Sequence, residues 1–218
     1  YPADQWTPGE QVFDLIEVGI ETGAPPGTYQ ARVGFFSAQA RQMLPILDSE
    51  GRYAGSWVDL PIQIERPPAP PALEELGIRN PLHVQTDEGD MMLLGGNLDT
   101  PSARQGEPIF LTLYWQGLAG ESPTDYTVFT HLFSESGELI AQHDGPPAGG
   151  AENTTDWEAG ETIRDTHQMT FNSRASDNTG PATVLVGLYD PENVGNRVMT
   201  SEGQDYVALP VTVNVLPQ

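Results

Sequence analysis

Apolar and polar residues alternate with a period of two along most of this chain. In EPIFLTLYWQG, Ile109, Leu111, Leu113 and Trp115 fall on one face, and Phe110, Thr112 and Tyr114 on the other, as in a pleated strand. DYTVFTHLF and ELIAQHD flank the Ser- and Gly-rich SESG, which predicts a hairpin joined by a tight turn. TVLVGLYD and YVALPVTVNV are further strands, and only PALEELGI has a helical character, over a turn or two. The spacing predicts about eight strands over 82–216 and four over 10–65. Short strands between Gly- and Pro-rich turns imply an all-β, antiparallel β-sandwich.

The chain also says several things twice. WTPGEQVFD aligns with WEAGETIRD, so that Trp6, Gly9, Glu10 and Asp14 match Trp157, Gly160, Glu161 and Asp165. GTYQARVGFF meets GPATVLVGLY, placing Gly34 on Gly187 and Phe36 on Tyr189. Arg41 and Met43 meet Arg197 and Met199, and VDLPIQIE meets VALPVTVN. Blocks that recur in the same order mark an internal repeat, covering roughly 6–65 and 157–214. RPPAPPA, residues 66–72, is a stiff, extended linker. The domain reading is therefore the C-terminal half of a sandwich over 1–65, a Pro-rich linker over 66–72 and a complete module over 73–218. The second copy follows a long run of strand-like sequence and the first does not. The expected tandem has an incomplete N-terminal copy, cut from or completed by something else; Tyr1 is not an initiator Met.

The matched Gly34 and Gly187 sit inside strands and predict a bulge or a close backbone approach. Trp6 and Trp157 are expected to plug one end of each unit, sugar stacking being the alternative.

Composition narrows the chemistry. Of 218 residues, 31 are Asp or Glu and nine are Arg, with no Lys and a net charge of −22. Such a field repels nucleic acids and anionic lipid surfaces. Without Lys there is no Schiff base and no phosphate loop ending in Gly-Lys. Without Cys there is no thiol nucleophile, Cys-ligated zinc or disulfide. No apolar run is long enough to span a bilayer, and no leader segment is expected in this stretch.

Catalytic signals are absent. No Ser lies in a G-x-S-x-G elbow, and no carboxylate pair is marked out by its setting. His131 and His143 lie on the two strands of the expected hairpin, with Asp144 beside them. Too few ligands accompany them for zinc. LDSEGR and DPENVGNR carry acids in turns, as ordinary turn chemistry does, with a loose Ca²⁺ site as the alternative although the alternating ligands of a Ca²⁺ loop are absent. No cofactor is expected.

The stretches YTVFTHLFSESGELIAQHDGPPAGG, TTDWEAGETIRD and VLVGLYD, with PPGTYQARVGFF and LPILDSEGR in the first copy, resemble the β-sandwich modules that follow the membrane-embedded part of bacterial glycosyltransferase-like proteins. The resemblance implies an immunoglobulin-like sandwich outside the cytoplasmic membrane, at the cell surface or secreted. It carries no catalytic residues. The expected role is a non-catalytic spacer or interaction module of a larger surface protein. Its partners would be other segments or copies of the same protein, including a homo-oligomer formed through the incomplete N-terminal unit. The alternative is a carbohydrate-binding module, with Trp57, Trp115 and Tyr126 as candidate glycan contacts.

Overall fold

The computed structural model describes residues 5–118 and 122–217; Tyr1 and Gln218, which bound the expected units, lie outside them. The described chain is all-β, with no α-helix. No helix among the described residues is long and apolar enough to cross a membrane. The helix expected at PALEELGI is one 3₁₀ turn, Leu73–Leu76, which Gly77 ends in the left-handed conformation (φ +63°).

Residues 73–217 hold ten strands: β7 (Asn80–Gln85), β8 (Met91–Leu98), β9 (Ser102–Arg104), β10 (Ile109–Gly117), β11 (Thr127–Ser134), β12 (Leu139–Gly145), β13 (Thr162–Phe171), β14 (Gly180–Asp190), β15 (Asn193–Arg197) and β16 (Val207–Leu216). They form one sheet in the order β7-β8-β10-β13-β12-β11-β14-β16-β9, with β15 added to β14. The sheet is mixed rather than wholly antiparallel, because β9 runs parallel to β16, Val215 facing Ala103. The β12–β13 ladder is short, pairing only Ala141 with Phe171 and Gln142 with Thr170. There the sheet curls until β7 and β8 lie against β16, and Thr86 bridges Thr200.

The alternation in the sequence explains what the curl encloses. Ile109, Leu111, Leu113 and Trp115 of β10 point inward with Ile163 and Met169 of β13. They meet Val128 and Leu132 of β11, Val184 and Val186 of β14 and Val213 of β16. Tyr114, on the outer face of β10, packs with Leu94 beneath Leu76. Trp157 is 1% exposed and its indole N–H donates to the Glu152 carbonyl at 3.3 Å.

Residues 5–65 behave differently. β1 (Gly27–Val33) and β6 (Val58–Ile64) form an isolated antiparallel pair. Two minimal ladders join β2 (Phe36–Ser37) to β3 (Gln42–Met43) and β4 (Ile46–Leu47) to β5 (Tyr53–Gly55). Within the span expected to hold four strands, FDLIEVGI forms none: residues 11–21 carry no ladder, and Phe13 and Leu15 are 94% and 87% exposed. The physical reason is the lack of a neighbour. A strand pattern gives a strand only where another chain segment accepts its hydrogen bonds and covers its apolar face.

Candidate functional site

β13 carries Ile163, Asp165, His167 and Met169 at its inward positions, so the pleat drives two ionisable side chains into an apolar core. Asp165 and His167 are 0% and 1% exposed. Buried polar groups of this kind are costly unless hydrogen-bonded, and each finds partners. Asp165 accepts the Ala148 backbone N–H at 2.9 Å and the Trp115 indole N–H at 3.3 Å. His167 Nε2 lies 2.6 Å from Asp165 Oδ2, and His167 Nδ1 lies 2.8 Å from His143 Nδ1. With Asp165 as acceptor, His167 donates through Nε2, accepts from His143 Nδ1–H, and leaves His143 Nε2 with the open lone pair. The chain Asp165–His167–His143 therefore runs from the core toward the surface.

Ala148 stands over this chain in the left-handed region (φ +50°), an uncommon conformation for a residue with a Cβ. Its N–H bond to Asp165 holds the turn 146–150 there. Burial, with His167 adding to it, pushes the His143 imidazole below its ordinary range, against the pull of Asp144 and Asp165. The arrangement can pass a proton between His143 and the interior. Thr130, on the facing strand, spends its hydroxyl on the His143 carbonyl at 2.8 Å.

His131 and His143, on the two strands of the hairpin, do not meet, for a reason of register. His143 faces Thr130, and His131 faces Gln142, so the pleat sends the two rings to opposite sides. His131 instead packs between Phe129, tilted, and Phe133, edge-on (ring centroids 4.8 and 6.3 Å), and lies 3.3 Å from Asp144. Among the described residues no group of three or more His, Cys, Asp or Glu is arranged to hold a metal ion.

A second cluster joins the linker to the module. Arg66 reaches Glu161 (2.8 Å), Glu152 (2.7 Å) and Glu158. The Glu152 and Glu161 side chains are 7% and 8% exposed. Burial raises the Glu152 carboxyl, Glu161 pushes it further, and Arg66 opposes both. Beside this junction lies a cleft of about 520 Å³ lined by Ile20, Pro25, Ile64, Pro68, Pro70 and Ile163 among others. Gly23 O accepts the Arg164 N–H at 2.9 Å, which fastens residues 21–24 to the edge of β13.

The aligned blocks share geometry at three points. Gly9 and Gly160 both have φ +86°. In each turn the Glu after the Gly closes back in the same way: Thr7 N–H donates to Glu10 Oε2, and Glu158 N–H to Glu161 Oε2, both at 2.9 Å. In each β-pair the matched valines face each other, Val33 with Val58 and Val186 with Val207. A Cβ on Gly34 would fall 2.6 Å from the Ser56 carbonyl, and one on Gly187 3.0 Å from that of Asp205. Ser56 and Asp205 are matched positions too.

What differs is the cover. Gly187 lies under the Phe129 ring, whereas Gly34 lies under the tip of Met43. Trp157 packs on Trp115 with ring centroids 6.4 Å apart, whereas Trp6 meets Phe35 edge-on at 5.8 Å. Sixteen of the 21 exposed large hydrophobic side chains among the described residues lie between Trp6 and Leu60, and the buried apolar core begins only at Leu76. Residues 5–65 thus present an apolar surface with no core of their own.

The three candidate glycan contacts are scattered. Trp57 is 44% exposed, with the Arg32 guanidinium 4.4 Å from its ring centre. Tyr126 is half-buried, and its backbone N–H donates to Thr154 at 2.9 Å. Trp115 is 4% exposed and tied to Asp165, so its ring faces the core. The sequence expectation missed Asp165, His167 and Arg66. Strict alternation in TIRDTHQMTF places the first two between Ile163 and Met169, and that signal was legible.

No protein-family model and no curated protein sequence matches the chain.

Proposed function

We propose that this chain is a non-catalytic, extracytoplasmic β-sandwich module of immunoglobulin-like type, acting as a spacer or interaction domain of a larger cell-surface protein. The observation that carries the interaction role is the concentration of exposed apolar side chains between Trp6 and Leu60, beside a core confined to residues 76–215. Exposed apolar side chains concentrated in one segment in this way mark association sites. The tandem reading is supported by the paired turns at Gly9 and Gly160 and by the matched valine registers. The sandwich reading is supported by the curl that sets β10 and β13 across one core from β14 and β16. The location outside the cytoplasmic membrane and the kinship with glycosyltransferase-associated modules rest on the sequence resemblance. Partners are other segments or copies of the same protein. An environment-sensitive dye such as ANS tests the role: the chain should bind it through residues 5–65. A dye-silent monomer whose β1 and β6 amides exchange slowly would sink the proposal.

A second reading, carbohydrate binding, is favoured by one observation. The exposed Trp57 has Arg32 over one face and the Arg32–Asp59 ion pair (2.7 Å) alongside, a combination of ring and polar groups suited to a sugar. Titration of neutral oligosaccharides against Trp fluorescence, with Trp57→Ala as control, decides it.

A further inference from the structure

We infer that the surface presented by residues 6–65 is the receptor for a strand-bearing half-module of the kind residues 73–156 form here. The inference rests on the interaction role proposed above and names the partner. Residues 73–156 cover the segment 157–214, and the interface between them shows what the aligned segment 6–65 would receive.

Three anchor points define the fit. Trp157 is covered by Trp115, and its counterpart Trp6 remains 37% exposed. Asp165 takes the Trp115 indole N–H, and its counterpart is Asp14. Gly187 accepts the Phe129 ring against its backbone, and its counterpart Gly34 holds only the flexible end of Met43. The edges agree as well. β14 lies between β11 and β16, Phe129 facing Gly187, whereas among the described residues β1 pairs only with β6 and has no ladder on its other edge. Residues 11–20, the counterpart of β13, have the alternation of a strand without one to pair with. An open edge beside exposed apolar residues is a template for strand addition.

The partner is thereby specified chemically. It brings a Trp to the place of Trp115 and an aromatic ring to the place of Phe129. Ile16 stands where His167 stands in the complete module, so the partner has an aliphatic residue, not a histidine, at the place of His143. This chain's own residues 73–156 are committed to residues 157–214, and so are those of a second copy.

The test adds a second copy of residues 73–156 ahead of the complete chain through a flexible linker. Amide exchange in β1 and β6 is followed, with β10 and β14 as the reference for folding. Exchange in β1 should slow about tenfold or more, as for a strand moved from an edge to a sheet interior, and ANS binding should fall. Trp115→Ala with Phe129→Ala in the added copy should abolish the protection, and His143→Leu there should increase it. A synthetic peptide of residues 125–134 provides an independent probe: it should protect β1, and its Phe129→Ala version should not. If neither the added copy nor the peptide protects β1 while the natural chain binds dye, the partner is wrong and the interaction role stands. If the natural chain alone is a dye-silent monomer with slow β1 exchange, the interaction role falls with it. Concentration-dependent dimerisation that protects β1 in the natural chain would make a second copy the occupant and overturn the inference.

Discussion

The Nδ1 atoms of His143 and His167 stand 2.8 Å apart, close enough that only one of them can carry a proton toward the other. The burial of His143 beside His167 ties the stability of the fold to pH. The folded state holds His143 below its ordinary value of 6.5, so between the folded value and about 6.5 the unfolded chain binds more protons. The contribution is complete above about 6.5 and is lost as pH falls through that window. Thermal melts of the chain across this range should lose stability toward acid. His143→Gln should flatten that limb, and an unchanged slope would disprove the link.

Glu152 works in the opposite sense. Burial holds its carboxyl above the ordinary 4.5, so above 4.5 the folded state binds the extra proton. Its contribution is complete below about 4.5 and is lost as pH rises through the folded value. Glu152→Gln should remove this slope while leaving the His143 limb in place, as a pH series of melts would read.

Arg66→Ala strips donors from two nearly buried carboxylates and should destabilise the chain by about 1–3 kcal/mol near neutral pH. Arg66→Lys should recover only part of this, because one planar guanidinium serves three carboxylates at once. Denaturant titration of the pair gives the comparison, and equal stability of Lys and Arg would contradict it.

Trp157→Ala should cost about 3–5 kcal/mol, the range for a large aromatic taken from a core. Trp6→Ala, on a residue 37% exposed, should leave the main unfolding transition within about 0.5 kcal/mol of the parent. Equal losses would show that residues 5–65 share the cooperative core.

Gly187→Ala forces a Cβ against the Phe129 ring and the Asp205 carbonyl and should lower stability by about 1–3 kcal/mol. Gly34→Ala meets the Ser56 carbonyl in the same way but lies outside the buried core. The main transition should not move, while amide exchange in β1 and β6 should quicken.

These contrasts show where sequence patterning suffices. The inward row Ile109, Leu111, Leu113 and Trp115 was legible because β10 has a neighbour on each side, β8 and β13, and alternation alone decides its faces. The row Val12, Ile16, Val18 alternates as its β13 counterparts do but pairs with no described strand, and local pattern cannot supply a missing sheet. The His143–His167 contact escaped because it joins two strands through only a two-residue ladder at the curl. The parallel β9–β16 pairing escaped because a three-residue strand has no period to read. Arg66 escaped because its carboxylate partners lie more than 80 residues away.

The position of β16 also sets how the chain bears load. It lies between β14, running antiparallel, and β9, running parallel, and the Arg104 guanidinium holds the Pro217 carbonyl just beyond it. Tension drawn through Leu216 along the strand must slide two ladders past their registers together. The β1–β6 pair brings Gly27 and Ile64 side by side at one end, so tension across them parts the ladder one rung at a time. One end of the molecule is built as a lap joint and the other as a zip.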